Sequence, residues 1–110
     1  MKLKTLLCSA LLTLSAPLVL ADTIWLDVRS TSEFNTGHID GAVHLPHFQV
    51  AEQASARLPN KDDEILVYCR SGNRAGKALT MLKKLGYSQV KNIGGLGDAE
   101  KLKEMRKAAE

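Results

Sequence analysis

Ile65-Leu66-Val67-Tyr68 is an unbroken apolar run, and a helical pattern begins near Asn73, with only Cys69-Arg70-Ser71-Gly72 between them. A strand with no polar face reads as a buried parallel strand. A strand that passes through so short a loop into a helix confines the chain to an alternating β/α design. The same arrangement aims the loop's backbone N–H groups at one point, where the helix dipole adds positive potential. Cys69 lies at the strand end, where that bowl would start, and Arg70 and Arg74 lie in or beside the loop. A lone cysteine is ordinarily a small buried hydrophobe. Here the setting predicts a thiol of lowered pKa with an anion held beside its sulfur.

The flanking sequence repeats the alternation. Thr23–Val28 reads as a first strand, with Asp27 and Arg29 at its carboxyl end. Ser30-Thr31-Ser32-Glu33 has the form of a capping box for a short helical turn carrying Phe34 and stopping near Gly37. His38-Ile39-Asp40-Gly41 is a turn, and Ala42–Leu45 a short strand ended by Pro46. From Phe48 to Leu58, Val50, Ala54 and Leu58 recur on one helical face. From Asn73 to Leu85, Ala75, Ala78, Leu79, Leu82 and Leu85 form an amphipathic stripe, and Gly86 is a C-terminal stop. Tyr87–Ile93 reads as another strand. Gly94-Gly95-Leu96-Gly97 is expected to be a flexible loop, with Asp98 capping a last helix, Ala99–Ala108, that buries Leu102 and Met105. The fold expected is α/β, a central parallel sheet of four to five strands flanked by helices. In such sheets the site lies beyond the carboxyl ends of the strands.

Met1-Lys2-Leu3-Lys4, the apolar run Thr5–Leu20 and the small residue Ala21 form a secretory signal peptide, with cleavage expected after Ala21. The domain is then residues 22–110, in the periplasm and free of the membrane. Loss of Lys2 and Lys4 lowers the formal charge from +3 to +1. No basic stripe with interleaved aromatics argues for nucleic acid. Cleavage also removes Cys8, leaving Cys69 unpaired in an oxidising compartment, so it is either inert and buried or kept for its reactivity. His38, His44 and His47 have no recognised zinc spacing, and neither a metal nor a cofactor is expected.

Three ordered stretches resemble the rhodanese superfamily. Leu26-Asp27-Val28-Arg29, Glu33-Phe34 and Gly37–Ala42 resemble its first signature. Val67–Ala75 resembles its active-site loop, and Leu85-Gly86-Tyr87 with Asn92–Leu96 its closing segment. The resemblance is closest to single-domain periplasmic members, and it implies a three-layer rhodanese-like sandwich. It further implies thiosulfate sulfurtransfer, in which a sulfane sulfur passes to Cys69 and then from the persulfide to cyanide, a small thiol or a periplasmic thiol protein. By position, Cys69 is the nucleophile and the backbone of Arg70, Ser71, Gly72, Asn73 and Arg74 cradles its outer sulfur. Arg70 and Arg74 are candidates for binding the anion, Asp27 and Arg29 are supporting residues, and the protein is expected to be a monomer. Where family members often carry a tryptophan, this chain has Gly97-Asp98-Ala99.

The chemistry is self-consistent. A thiolate and a dianion repel, and arginines with a helix N-terminus offset that repulsion. Sulfite leaves as an anion, so no general acid is required. A cysteine phosphatase or arsenate reductase would need an arginine where Ala75 stands, one residue beyond Arg74. The same fold could also serve as a persulfide carrier or as a non-catalytic binding module.

Overall fold

The computed structural model describes residues 22–110; the stretch read as a signal peptide, with Cys8, lies outside them. Strands β1 (Thr23–Asp27), β2 (Val43–His44), β3 (Glu64–Cys69) and β4 (Gln89–Gly95) alternate with helices α1 (Thr31–Thr36), α2 (Val50–Arg57), α3 (Asn73–Lys84) and α4 (Leu96–Ala108). Among the described residues the strands form one sheet in the order β2-β1-β3-β4. All its pairs are parallel, with Asp27 level with His44 on one side and Tyr68 on the other.

Alternation along the strands separates two faces. Leu26, Ile65, Val67, Cys69 and Val90 join Val50 and Ala54 of α2 and Ala75, Ala78 and Leu82 of α3 in the larger core. Leu82 alone, fully buried, contributes roughly 2–3 kcal/mol. On the other face Tyr68, Ile39 and Ala99 pack with Trp25, Ile93 and Leu96. The result is a three-layer sandwich, as expected.

Local chemistry accounts for the element ends. Ser30 and Glu33 close the capping box of α1 reciprocally, Glu33 N donating to Ser30 Oγ and Ser30 N to Glu33 Oε1. A 3-10 turn, His47–Gln49, leads into α2. Gly86, at φ +97°, ends α3. Its N–H donates to Lys83 O and that of Tyr87 to Leu82 O, so two of the helix's last carbonyls are satisfied. Before β3, the Asp22 N–H donates to buried Asp63 at 2.8 Å.

The structure corrects the sequence reading at the last junction. Gly94 and Gly95 are the end of β4, and Leu96 and Gly97 already belong to α4. Asp98 is not the N-cap; it lies in the first turn and accepts from the Gly95 N–H at 2.9 Å. With glycine at the cap there is no capping side chain, and the acidic residue at the third position reaches back instead. Met105 is 63% exposed where burial was expected. The helix packs through Leu96 and Ala99 near its start, and Arg106 reaches Glu64 with both terminal nitrogens at 2.6 and 2.9 Å.

Candidate active site

Cys69 ends β3 almost fully buried, and its sulfur meets the start of α3. Gly72 N donates to Sγ at 2.9 Å and Ala75 N at 3.4 Å. Gly72 is the N-cap of α3, with φ +98° and no capping side chain. The sulfur therefore does the work of a cap for the helix's unpaired N–H groups. Burial pushes the thiol's pKa up, but the N–H groups of Ala75, Ser71, Gly72 and Arg74 outweigh it, and the net shift is downward. Backbone dipoles of the loop thus favour the thiolate.

The flanking residues divide by exposure. Arg70, Ser71 and Asn73 are exposed at the rim, and Gly72 and Arg74 are half-buried. The two arginines differ more sharply than the sequence suggested. Arg74 is paired end-on with Glu33, Nη1 to Oε1 at 2.7 Å and Nη2 to Oε2 at 3.0 Å. That pairing, against the cost of burial and aided by Ser30, holds Glu33 down to about 2. Sequence reasoning kept Glu33 as a cap alone, because a bond spanning 41 positions leaves no local pattern.

A second set of contacts, also unforeseen, fixes the loop from β4. Asn92 Nδ2 donates to Gly72 O at 2.9 Å, and Asn92 Oδ1 accepts from Gly94 N at 3.0 Å. Between Val67 and Cys69 the register with β4 slips by one residue, so Asn92 and Gly95 become their partners. Gly94, at φ +94°, takes up that bulge. Gly95 then lies so near the loop that a Cβ there would collide with the Arg70 carbonyl oxygen. The Asn-x-Gly spacing, which favours a side-chain turn two residues on, was the one signal the sequence offered.

Asp27 and Arg29 are brought together behind the loop. Arg29 donates from Nε and Nη2 to both Asp27 oxygens at 2.8–3.1 Å, and Nη2 also reaches Gly37 O. Both are buried. Together they tie β1 to the turn after α1. The Arg29 guanidinium lies over Tyr68, whose hydroxyl accepts from Ile39 N at 3.1 Å. His44 bonds the Arg29 carbonyl at 2.8 Å and stacks on Phe34, which stacks on His38 in turn. Among the described residues no three His, Cys, Asp or Glu side chains gather as a metal site.

A parallel α/β sandwich whose cysteine caps the helix after its strand defines a class of thiol-bearing domains. Comparison places the chain within that class. The family model for the rhodanese-like domain matches residues 13–98, and the chain belongs to that family. It is 38% identical over 80 residues to thiosulfate sulfurtransferase PspE of Escherichia coli, spanning 73% of this chain and 77% of that one. It is 40% identical over 68 residues to the putative sulfur carrier protein YrkF of Bacillus subtilis, covering 62% of this chain and 36% of that protein. A solved E. coli structure described as a rhodanese with anions superposes with TM-score 0.66 at 37% identity, covering 69% of this chain and 89% of the other.

Proposed function

We propose that the protein is a thiosulfate sulfurtransferase working through a Cys69 persulfide. The observation that carries this reading is the sulfur of Cys69 seated on the N–H groups of Gly72 and Ala75, at the start of α3. The Cys69 thiolate attacks the outer sulfur of thiosulfate. A new S–S bond forms, the sulfur–sulfur bond of thiosulfate breaks, and its electron pair leaves with sulfite. The persulfide's outer sulfur then passes to cyanide, giving thiocyanate, or to a thiol, and Cys69 returns as thiolate. The N–H groups of Ser71, Gly72, Arg74 and Ala75 serve the sulfur in this chemistry, and Arg70 is an exposed cation at the rim of the loop. The charge of the nucleophile is stabilised before the reaction begins, so little reorganisation is needed.

The reading includes export through the signal peptide, cleavage after Ala21 and a monomeric periplasmic protein. No helix among the described residues is long and apolar enough to cross a membrane. The test is mass spectrometry of the protein after incubation with thiosulfate, followed by cyanide. A gain of one sulfur on Cys69, thiocyanate release, and loss of both in Cys69→Ser are expected. An unmodified Cys69 would refute the proposal; a stable persulfide that no small acceptor discharges would mark a sulfur carrier instead.

A further inference from the structure

Arg74 and Glu33 form a closed pair beside the cysteine loop. Both terminal nitrogens of the guanidinium meet both carboxylate oxygens, at 2.7 and 3.0 Å. Glu33 does not reach the pair by chance of a flexible side chain. Its Oε1 also accepts from Ser30 N at 3.0 Å and Ser30 Oγ at 2.9 Å, which fixes it to the start of α1. Arg70 is exposed and, among the described residues, joins no ion pair. The loop thus presents one uncompensated cation where its sequence contains two.

From this geometry, and resting on the sulfurtransferase reading, we infer that Glu33 is a positioning residue that holds the site's affinity for dianions down. Thiosulfate is a dianion at neutral pH, and sulfite leaves as one, although part of it takes up a proton once in solution. A cation that tightens one tightens the other, and uniform tightening lowers KM without helping the chemical step. With Glu33 occupying Arg74, the donor is attracted chiefly by Arg70 and the backbone N–H groups, and sulfite is free to leave. The arrangement favours turnover over retention of the spent donor.

Glu33→Gln separates this role from capping, because glutamine serves equally as the returning partner of a capping box. Persulfide loading is followed over graded thiosulfate, with and without added sulfite. In Glu33→Gln the half-saturating thiosulfate and the sulfite inhibition constant should fall together, each about 2–5-fold, the scale of a partly exposed ion pair. The shift should shrink in about 0.5 M salt, where the screening length falls to a few ångströms. Arg74→Gln should move both constants the opposite way, and the double variant, with the wild-type charge balance, should return near the starting values. If persulfide forms normally and neither constant falls in Glu33→Gln, the inference is wrong and Glu33 only caps α1 or aims Arg74 at the donor. If the wild-type protein forms no persulfide, the sulfurtransferase reading itself has failed.

Discussion

Gly72 contributes to the site through its backbone alone. Its N–H binds the Cys69 sulfur and its carbonyl is held by Asn92, and both depend on φ +98°. A Cβ there would find ordinary contacts, the nearest being Gly94 Cα at 3.5 Å. The cost of Gly72→Ala is therefore conformational, about 1–2 kcal/mol, readable as a lower urea midpoint. Relaxation of the loop should also weaken the N–H···S contacts. The pH midpoint for iodoacetamide alkylation of Cys69, expected below that of an ordinary thiol in the wild type, should rise by up to about one unit. The direction follows from the thiolate being the reactive form: fewer donors on sulfur mean a higher pH for the same thiolate fraction. The local logic of this residue was readable in the sequence, since a strand, a glycine and a helix leave the loop few shapes. The engagement of Arg74 by Glu33 was not, because it depends on how α1 and α3 meet across the sheet's carboxyl edge.

At the scale of elements, the junction of β4 and α4 makes opposite predictions for two neighbouring glycines. Gly95→Ala places a methyl group against the Arg70 carbonyl, a backbone atom that cannot swing away. Overpacking of this kind costs about 1–3 kcal/mol, and here it should lower both the urea midpoint and the rate of persulfide formation. Gly97 lies in the first turn of α4, and a methyl group added to it would meet nothing within 4 Å. Gly97→Ala should be neutral or stabilising by up to about 1 kcal/mol, with loading unchanged. The strands and the two long amphipathic patterns were legible because period and burial agree there. This junction was not, because four residues rich in glycine read as a loop while the bulge opposite Cys69 extends β4 through two of them. Helix α4 misled for a related reason: Met105 falls on the expected stripe, yet the helix packs by its first turns and leaves that residue in solvent.

Across the whole molecule, two carboxylates join segments distant in sequence. Glu33 links α1 to α3, and Glu64 links β3 to α4 through Arg106. The Arg74 bond holds Glu33 down to about 2, and the Arg106 bond, despite partial burial, does the same for Glu64. A carboxylate whose pKa falls on folding stabilises the native state above its unfolded pKa, and that stabilisation drains away as pH drops through the folded value. The melting temperature should therefore be flat with pH near neutrality, where both groups stabilise fully, and fall between pH of about 4.5 and 2. Each group contributes about 1–2 kcal/mol after solvent screening. Glu33→Gln/Glu64→Gln should lower the melting temperature at pH 7 and flatten its acid dependence. An unchanged acid slope would show that other groups govern it.

The thiolate of Cys69 is stabilised by peptide N–H groups, and every residue except proline carries the same donor. The acidity of the thiol is thus written into the path of the chain from Cys69 to Ala75 and hardly into the side chains along it. Arg70, Ser71 and Asn73, all exposed, can change without dismantling that path. A library randomised at those three positions should yield many variants that still alkylate at a lower pH than an ordinary thiol but differ in which sulfur donors they accept. The domain is in this sense a reusable socket: reactivity is inherited from its frame, and preference is left to its rim.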